Sequence, residues 1–436
     1  MPIRIKYIFI LIAVTALCTS AFGKEYTADY WLKKGNEFLD NSSFELAIDC
    51  FNKSIEQDST NASAWMAIGI ALANLGRTIE AMQSYEEAID IDPRPTLAWY
   101  NKGLLLAKLG EYNESVMAFD RAIELYPKLA EARYSKGLAL ANLGKYNESM
   151  NEFDKALGLD PEFADAWYGK GLVLCTLGEY NDSINAFDKV IEINPIYAAA
   201  WNNKGKALLA LGRYDESIKA FNKSIKIEPE DAETWYGLGT AFKMAGDYNE
   251  SLKAYNRTIE LNPKNALAWN AKGLALVSLG KYNKSIELFD NASRINPQEA
   301  GFWYNRGQAL DKQNRYDEAI NAYGNATELD PRCGVCWNNK GLSAARLERY
   351  DQAIEAYEKA IEIDPRYQDA WNNKGVALIG YQGDYSGAIK CFNKAIEINS
   401  KSIEAWVNKG RALEELGRGT EANDALDKAR KLGYLG

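Results

Sequence analysis

The side chains that usually carry out reactions are unevenly supplied in this chain. Its 436 residues include no histidine. That removes the imidazole base, the usual catalytic triads and most zinc sites. No phosphate-binding glycine loop, dinucleotide fingerprint or calcium loop occurs. The 60 carboxylates recur at positions that fall on the wet side of helices, the pattern of a solvated face and not of a catalytic pair. Of the six cysteines, Cys50 and Cys391 replace an alanine that precedes an aromatic residue and Cys175 replaces a small residue, so these three read as packing. Cys333-Gly334-Val335-Cys336 stands apart as a CxxC at the mouth of a helix. Without a second pair or a histidine it cannot complete a metal site. It is either a redox dithiol or a local disulfide closed after export, and we expect the disulfide Cys333–Cys336. No cofactor, no metal and no enzymatic activity are expected.

A second set of residues suits binding. The chain writes Tyr100-Asn101, Asn202-Asn203, Tyr304-Asn305, Asn338-Asn339 and Asn372-Asn373, with Tyr134, Tyr168, Tyr236 and Asn270 at matching places. An asparagine offers both donor and acceptor and can hold a peptide backbone without reading its side chains. Tyrosine adds amphipathic contact area at low entropic cost. The competing reading is a solvated helix face.

These residues are positioned by a repeat. Trp31, Trp65, Trp99, Trp167, Trp201, Trp235, Trp269, Trp303, Trp337 and Trp371 keep a 34-residue spacing or a multiple of it; Arg133 fills the missing beat and Trp406 arrives one residue late. A glycine follows each start by four residues, from Gly35 to Gly410. A fixed period of this length means stacked supersecondary units. In the unit Trp337–Ala370, Trp337, Gly341, Ala344, Ala345 and Leu347 form one helical stripe, and Tyr350, Ala353, Ile354, Tyr357, Ala360 and Ile361 form another. A helical glycine costs roughly 1 kcal/mol relative to alanine, so its recurrence implies close approach of another helix. Leu-Gly pairs such as Leu109-Gly110 end most first helices, and Asp364-Pro365 ends the second. Two such short helices cannot bury their own stripes, so neighbouring units must.

The series Trp337, Gly341, Tyr350, Ala353, Tyr357, Ala360 and Pro365 resembles the tetratricopeptide repeat. The resemblance covers the chain from about Ala28 to its end in twelve units. It implies an all-α, right-handed superhelical solenoid of antiparallel helix pairs. Two departures are visible: lysine (Lys102, Lys204, Lys340) replaces the leucine before the glycine, and serine (Ser115, Ser149, Ser183) replaces a small residue of the second helix. The lysine stem is expected to snorkel. The family's first helices line a concave groove, so the resemblance places the Tyr and Asn set in that groove. The set is similar to the asparagine ladder of the O-GlcNAc transferase repeat region, but no catalytic domain follows here. A basic clamp for C-terminal carboxylates is not evident.

Residues 1–23 differ in character. Arg4 and Lys6 precede an apolar run from Tyr7 to Leu17, and Ala21-Phe22-Gly23 offers a small-residue cleavage site. This reads as a secretory signal peptide, with an uncleaved anchor as the alternative; the run is short for a full span. Leu17 before Cys18 does not favour lipidation. Without the leader the formal charge moves from -9 to -11, which reads as mild and evenly spread acidity and disfavours nucleic acid. The first unit is atypical, with Asn41-Ser42-Ser43 at its turn and Ser59 in place of proline. The eleventh carries one extra residue near Gly380–Gly383, which predicts a longer turn. The last, with Asp424, Asp427, Lys428, Arg430 and Lys431, is polar enough to cap. No linker interrupts residues 28–436, read as one continuous array.

Twelve Asn-x-Ser/Thr triplets occur, five of them (Asn113, Asn147, Asn181, Asn249, Asn283) at one repeat position. They are glycosylation acceptors of an exported protein, or Asn and Ser capping a helix start. The chain thus reads as a secreted or cell-surface, non-catalytic scaffold. Its groove would bind extended segments of other proteins, with no nucleic acid and no membrane contact beyond the leader. The alternative is a glycosylated structural spacer with no groove ligand.

Overall fold

A computed structural model describes residues 26–435, and every structural statement below concerns those residues. The signal-peptide reading of residues 1–23 lies outside them. The described chain is all-helical, with 24 helices and no strand. It divides into two compact units, Met1–Pro195 and Ile196–Gly436.

The first unit holds five helix pairs: α1 (Ala28–Asp40) and α2 (Phe44–Gln57), α3 (Ala62–Asn74) and α4 (Thr78–Ile91), α5 (Thr96–Leu109) and α6 (Tyr112–Leu125), α7 (Ala130–Asn142) and α8 (Tyr146–Leu159), α9 (Ala164–Leu177) and α10 (Tyr180–Ile193). The second holds seven: α11 (Ala198–Ala210) and α12 (Tyr214–Ile227), α13 (Ala232–Ala245) and α14 (Tyr248–Leu261), α15 (Ala266–Ser278) and α16 (Tyr282–Ile295), α17 (Ala300–Asp311) and α18 (Tyr316–Leu329), α19 (Gly334–Arg346) and α20 (Tyr350–Ile363), α21 (Gln368–Gln382) and α22 (Tyr385–Ile398), α23 (Ile403–Glu415) and α24 (Gly419–Lys431). Within each unit, every helix packs on its sequence neighbours, and most first helices also touch the first helix of the next pair.

The recurring glycine does what its cost implied. A Cβ on Gly103 would lie 2.6 Å from the ring of Phe119, and one on Gly341 would lie 2.6 Å from Tyr357. The aromatic residue of the second helix therefore presses flat on the first helix. Phe119, Phe153, Phe221, Tyr255, Phe289 and Tyr357 are all fully buried, each contributing about 2–3 kcal/mol of transfer free energy. Gly110 ends α5 with φ +82°; its N–H reaches Ala107 O and the next N–H, of Glu111, reaches Leu106 O, a Schellman closure.

The tryptophans are half-buried, and their polar edge has a fixed task. The indole N–H of Trp99 donates to Pro93 O (3.1 Å), and Trp167, Trp235, Trp269, Trp337 and Trp371 repeat the bond to the proline six residues earlier. Where Arg133 stands for tryptophan, its guanidinium donates to Pro127 O at 3.3 Å. The lysines that replace the family leucine lie along the tryptophan face, as Lys340 does 4.9 Å from the Trp337 ring centre. Several also pair with an acid of the preceding repeat: Lys102 with Glu86 at 2.9 Å, Lys374 with Glu358 at 2.8 Å.

Two expectations need correction. The extra residue of the eleventh repeat does not lengthen its turn. It lengthens the helix: α21 has 15 residues, and Gly380 leaves room for the Tyr350 ring. Nor is the acidity evenly spread. Met1–Pro195 carries 28 acidic and 18 basic residues, whereas Ile196–Gly436 carries 32 and 33.

Candidate peptide-binding face

The sequence-predicted tyrosines and asparagines sit in register on the first helix of each pair. Tyr100, Tyr134, Tyr168, Tyr236 and Tyr304 are half-buried, each ring leaning on the aromatic residue of its own second helix at 5.8 to 6.0 Å between centres. Burial pushes the Tyr134 hydroxyl up to about 12, helped by the Asp165 carboxylate and by Tyr100 and Tyr168 on either side.

The asparagines behave differently from a free peptide clamp. Asn202, Asn338 and Asn372 are buried, and Asn101, Asn203, Asn270, Asn305, Asn339 and Asn373 are partly exposed. In the second unit the amide of one repeat donates to the neighbour in the repeat before it. Asn305 Nδ2 reaches Asn270 Oδ1 at 2.9 Å, Asn373 reaches Asn338 Oδ1 at 3.1 Å, and Asn339 reaches the Tyr304 hydroxyl at 3.4 Å. Asn408 continues the series onto Asn372 Oδ1 at 3.1 Å. Asn408 was missed by sequence reading, although its place two residues after Trp406 could have found it. The ladder is thus first a stitch between repeats. Where its donor is absent the acceptor is orphaned: Gly237 holds the matching place in α13, and Asn202 Oδ1 is buried without a hydrogen-bond partner.

A cavity of about 560 Å³ opens beside this ladder, lined by residues including Gln308, Asp311, Lys312, Asn339, Ser343 and Arg346. Tyr323 and Ser343 hydroxyls donate to Asp311 at 2.7 and 2.6 Å. Burial raises the Asp311 carboxyl above its ordinary range, and these two bonds oppose the rise.

Cys333 and Cys336 are joined by a disulfide, with Cα atoms 5.3 Å apart at the head of α19. Cys50 and Cys391 are buried, and burial raises both thiols. Among the described residues, no group of three or more His, Cys, Asp and Glu side chains could hold a metal ion.

The Asn-x-Ser/Thr triplets have a packing explanation that differs from helix capping. Ser115 donates to Gly103 O at 2.8 Å and Ser149 to Gly137 O at 2.7 Å, tying each second helix to the glycine of its partner. Ser217 makes the same bond to Gly205 O although no asparagine precedes it at the triplet position. In ten of the twelve triplets the hydroxyl residue is buried; Ser43 and Ser63, which follow Asn41 and Asn61, are not.

Family models for the tetratricopeptide repeat match residues 32–94, 96–129, 164–197, 196–264, 236–300, 270–332, 335–367 and 356–390, and a TPR repeat model matches 137–178 and 381–417. The chain belongs to the tetratricopeptide repeat (TPR) family. No curated protein sequence matches it. Among solved structures, it is similar to the Cut9–Hcn1 hetero-tetramer of the APC/C (15% identity, 89% of this chain and 96% of that one, TM-score 0.44). It is also similar to yeast Tom70 (16%, 92% and 96%, 0.42) and to YrrB, described as a TPR protein with an unusual peptide-binding site (24%, 43% and 96%, 0.38). At these scores and identities the likenesses extend neither to overall shape nor to partners. The TPR fold itself is one typical of protein–protein interaction.

Proposed function

We propose that this TPR protein is an exported, non-catalytic scaffold whose first-helix face holds extended segments of other proteins. The observation that carries the reading is the register of polar side chains on that face. Asn305, Asn339 and Asn373 each spend one amide hydrogen on the neighbouring repeat, which fixes their rotamers and leaves the second hydrogen for a ligand carbonyl. A pre-set donor row binds backbone at lower entropic cost than free side chains would.

Export is supported by Arg4, Lys6, the apolar run to Leu17 and Ala21-Phe22-Gly23. A glycosylated spacer is less well supported, because most triplet hydroxyls serve the core; in the folded protein, attachment is expected only at Asn41 and Asn61.

The test is affinity capture from the extracellular fraction with the full chain as bait. Defined partners that compete with one another for the bait support the scaffold; an empty bait overturns it. Intact mass of the recovered protein checks export separately. A mass lacking about the first 23 residues, with Cys333 and Cys336 refusing alkylation until reduced, is the expected result.

A further inference from the structure

The two units present chemically different faces. In the first unit, the row is Tyr100, Tyr134 and Tyr168, and one helical turn on from each stands Leu104, Leu138 and Leu172. Leu104 and Leu172 are 40% and 36% exposed, high for leucine in mid-helix. At the equivalent places of the second unit the apolar row is interrupted: Lys206, Thr240, Gln308 and Arg411 stand among Leu274, Leu342 and Val376, of which Leu342 and Val376 are 37% and 46% exposed. The apolar row also sits in the unit that holds the acidic surplus, 28 acids against 18 bases. Glu131 and Asp165 lie in the first turns of α7 and α9, exposed, on the helices that bear the row. The cations on the same helices are already matched: Lys102 by Glu86, Lys136 by Asp120 and Lys170 by Asp154. Exposed Lys108 at the end of α5 is the opposing charge.

We infer that the first unit docks a basic, apolar segment of a partner protein, whose leucine-like side chains pack between the tyrosines while its lysines or arginines meet the acidic rim. This rests on the scaffold reading above and gives it a partner chemistry. An apolar contact row supplies affinity, and a like-signed rim supplies approach rate and rejects acidic segments.

Three fluorescein-labelled 15-residue peptides test it against the full chain by anisotropy: repeats of Gly-Leu-Lys, of Gly-Leu-Glu and of Gly-Ser-Lys. The Gly-Leu-Lys peptide should bind at least about tenfold more tightly than either of the others, and should weaken as salt rises from low to physiological. Leu104→Ala with Leu172→Ala should reduce its affinity about tenfold at unchanged melting temperature, since both side chains are exposed. Equal binding of the glutamate peptide or of the serine peptide overturns the inference, as does an unaffected double variant. If no peptide binds while the bait still captures defined extracellular partners, this inference falls and the scaffold reading stands; if both fail, both fall.

Discussion

Position 133 shows how one residue can be exchanged at the cost of a second. The other repeats place tryptophan there, and its indole N–H ties down the preceding loop. Arg133 keeps that bond through Pro127 O but brings a charge into a mostly buried place. Glu152 answers it at 3.3 Å, and it stands where most repeats have alanine. Burial alone would raise the Glu152 carboxyl; the hydrogen bond from Lys155 and the charges of Lys136, Lys155 and Arg133 outweigh it and hold the group below its ordinary range. Glu152→Ala strands these cations and should cost about 2–3 kcal/mol, whereas Arg133→Trp with Glu152→Ala should recover most of it. A double-mutant cycle of urea melts reads the coupling; additive losses would refute it. Because the folded carboxyl is depressed, its stabilisation is present above the unfolded value and is lost as pH falls through the folded one. Glu152→Gln should therefore flatten the acid limb of the stability profile. The ladder makes a second claim at this scale. Since Asn305, Asn339 and Asn373 join repeats, replacing all three by alanine should lower stability by about 0.5–1.5 kcal/mol per bond. A normal melt for the triple variant would show the bonds to be idle.

At the scale of the element, the helix ends decide the repeat's geometry. Ten glycines adopt positive-φ backbone between helices of a pair or at the end of one, but Ser42, Asn314 and Glu348 adopt it with a side chain, at φ 57°, 60° and 58°. Glutamate pays the most for this among the three, because asparagine and serine bond their own backbone more readily. Glu348→Gly should raise stability by about 0.5–1 kcal/mol, the strain relief exceeding the added unfolded-state entropy. The opposite substitution at a helical glycine has the opposite sign. Gly103→Ala improves helix propensity yet drives a methyl group to 2.6 Å from the buried Phe119 ring, so a net loss of about 1–3 kcal/mol is expected. Thermal melts of the two variants should move in opposite directions; a stabilised Gly103→Ala would mean the ring can yield.

At the scale of the molecule, stability is distributed. Each helix is held by its near neighbours in sequence, so unfolding need not be all-or-none. Urea titrations followed by circular dichroism and by tryptophan fluorescence should give midpoints that do not coincide, and a single superimposable transition would contradict this. The charge is distributed too, but unequally, and this separates the chemistry of the first unit from that of the second.

The period of Trp31, Trp65 and Trp99, the glycine four residues on and the proline stops were enough to read the fold, because each reports a local constraint: helical spacing, a close approach, a chain break. Charge counts by unit were also in the sequence, but only the division at Pro195 gave them a boundary. What the sequence left open was partner choice for polar groups. Whether Asn305 faces a ligand or Asn270, whether Ser115 caps a helix or holds Gly103 O, and whether an extra residue enters a turn or extends α21 all depend on atoms 12 to 35 residues away. A hydrogen-bonding group satisfies whichever partner packing brings within reach, so spacing named the donors and tertiary structure chose the acceptors.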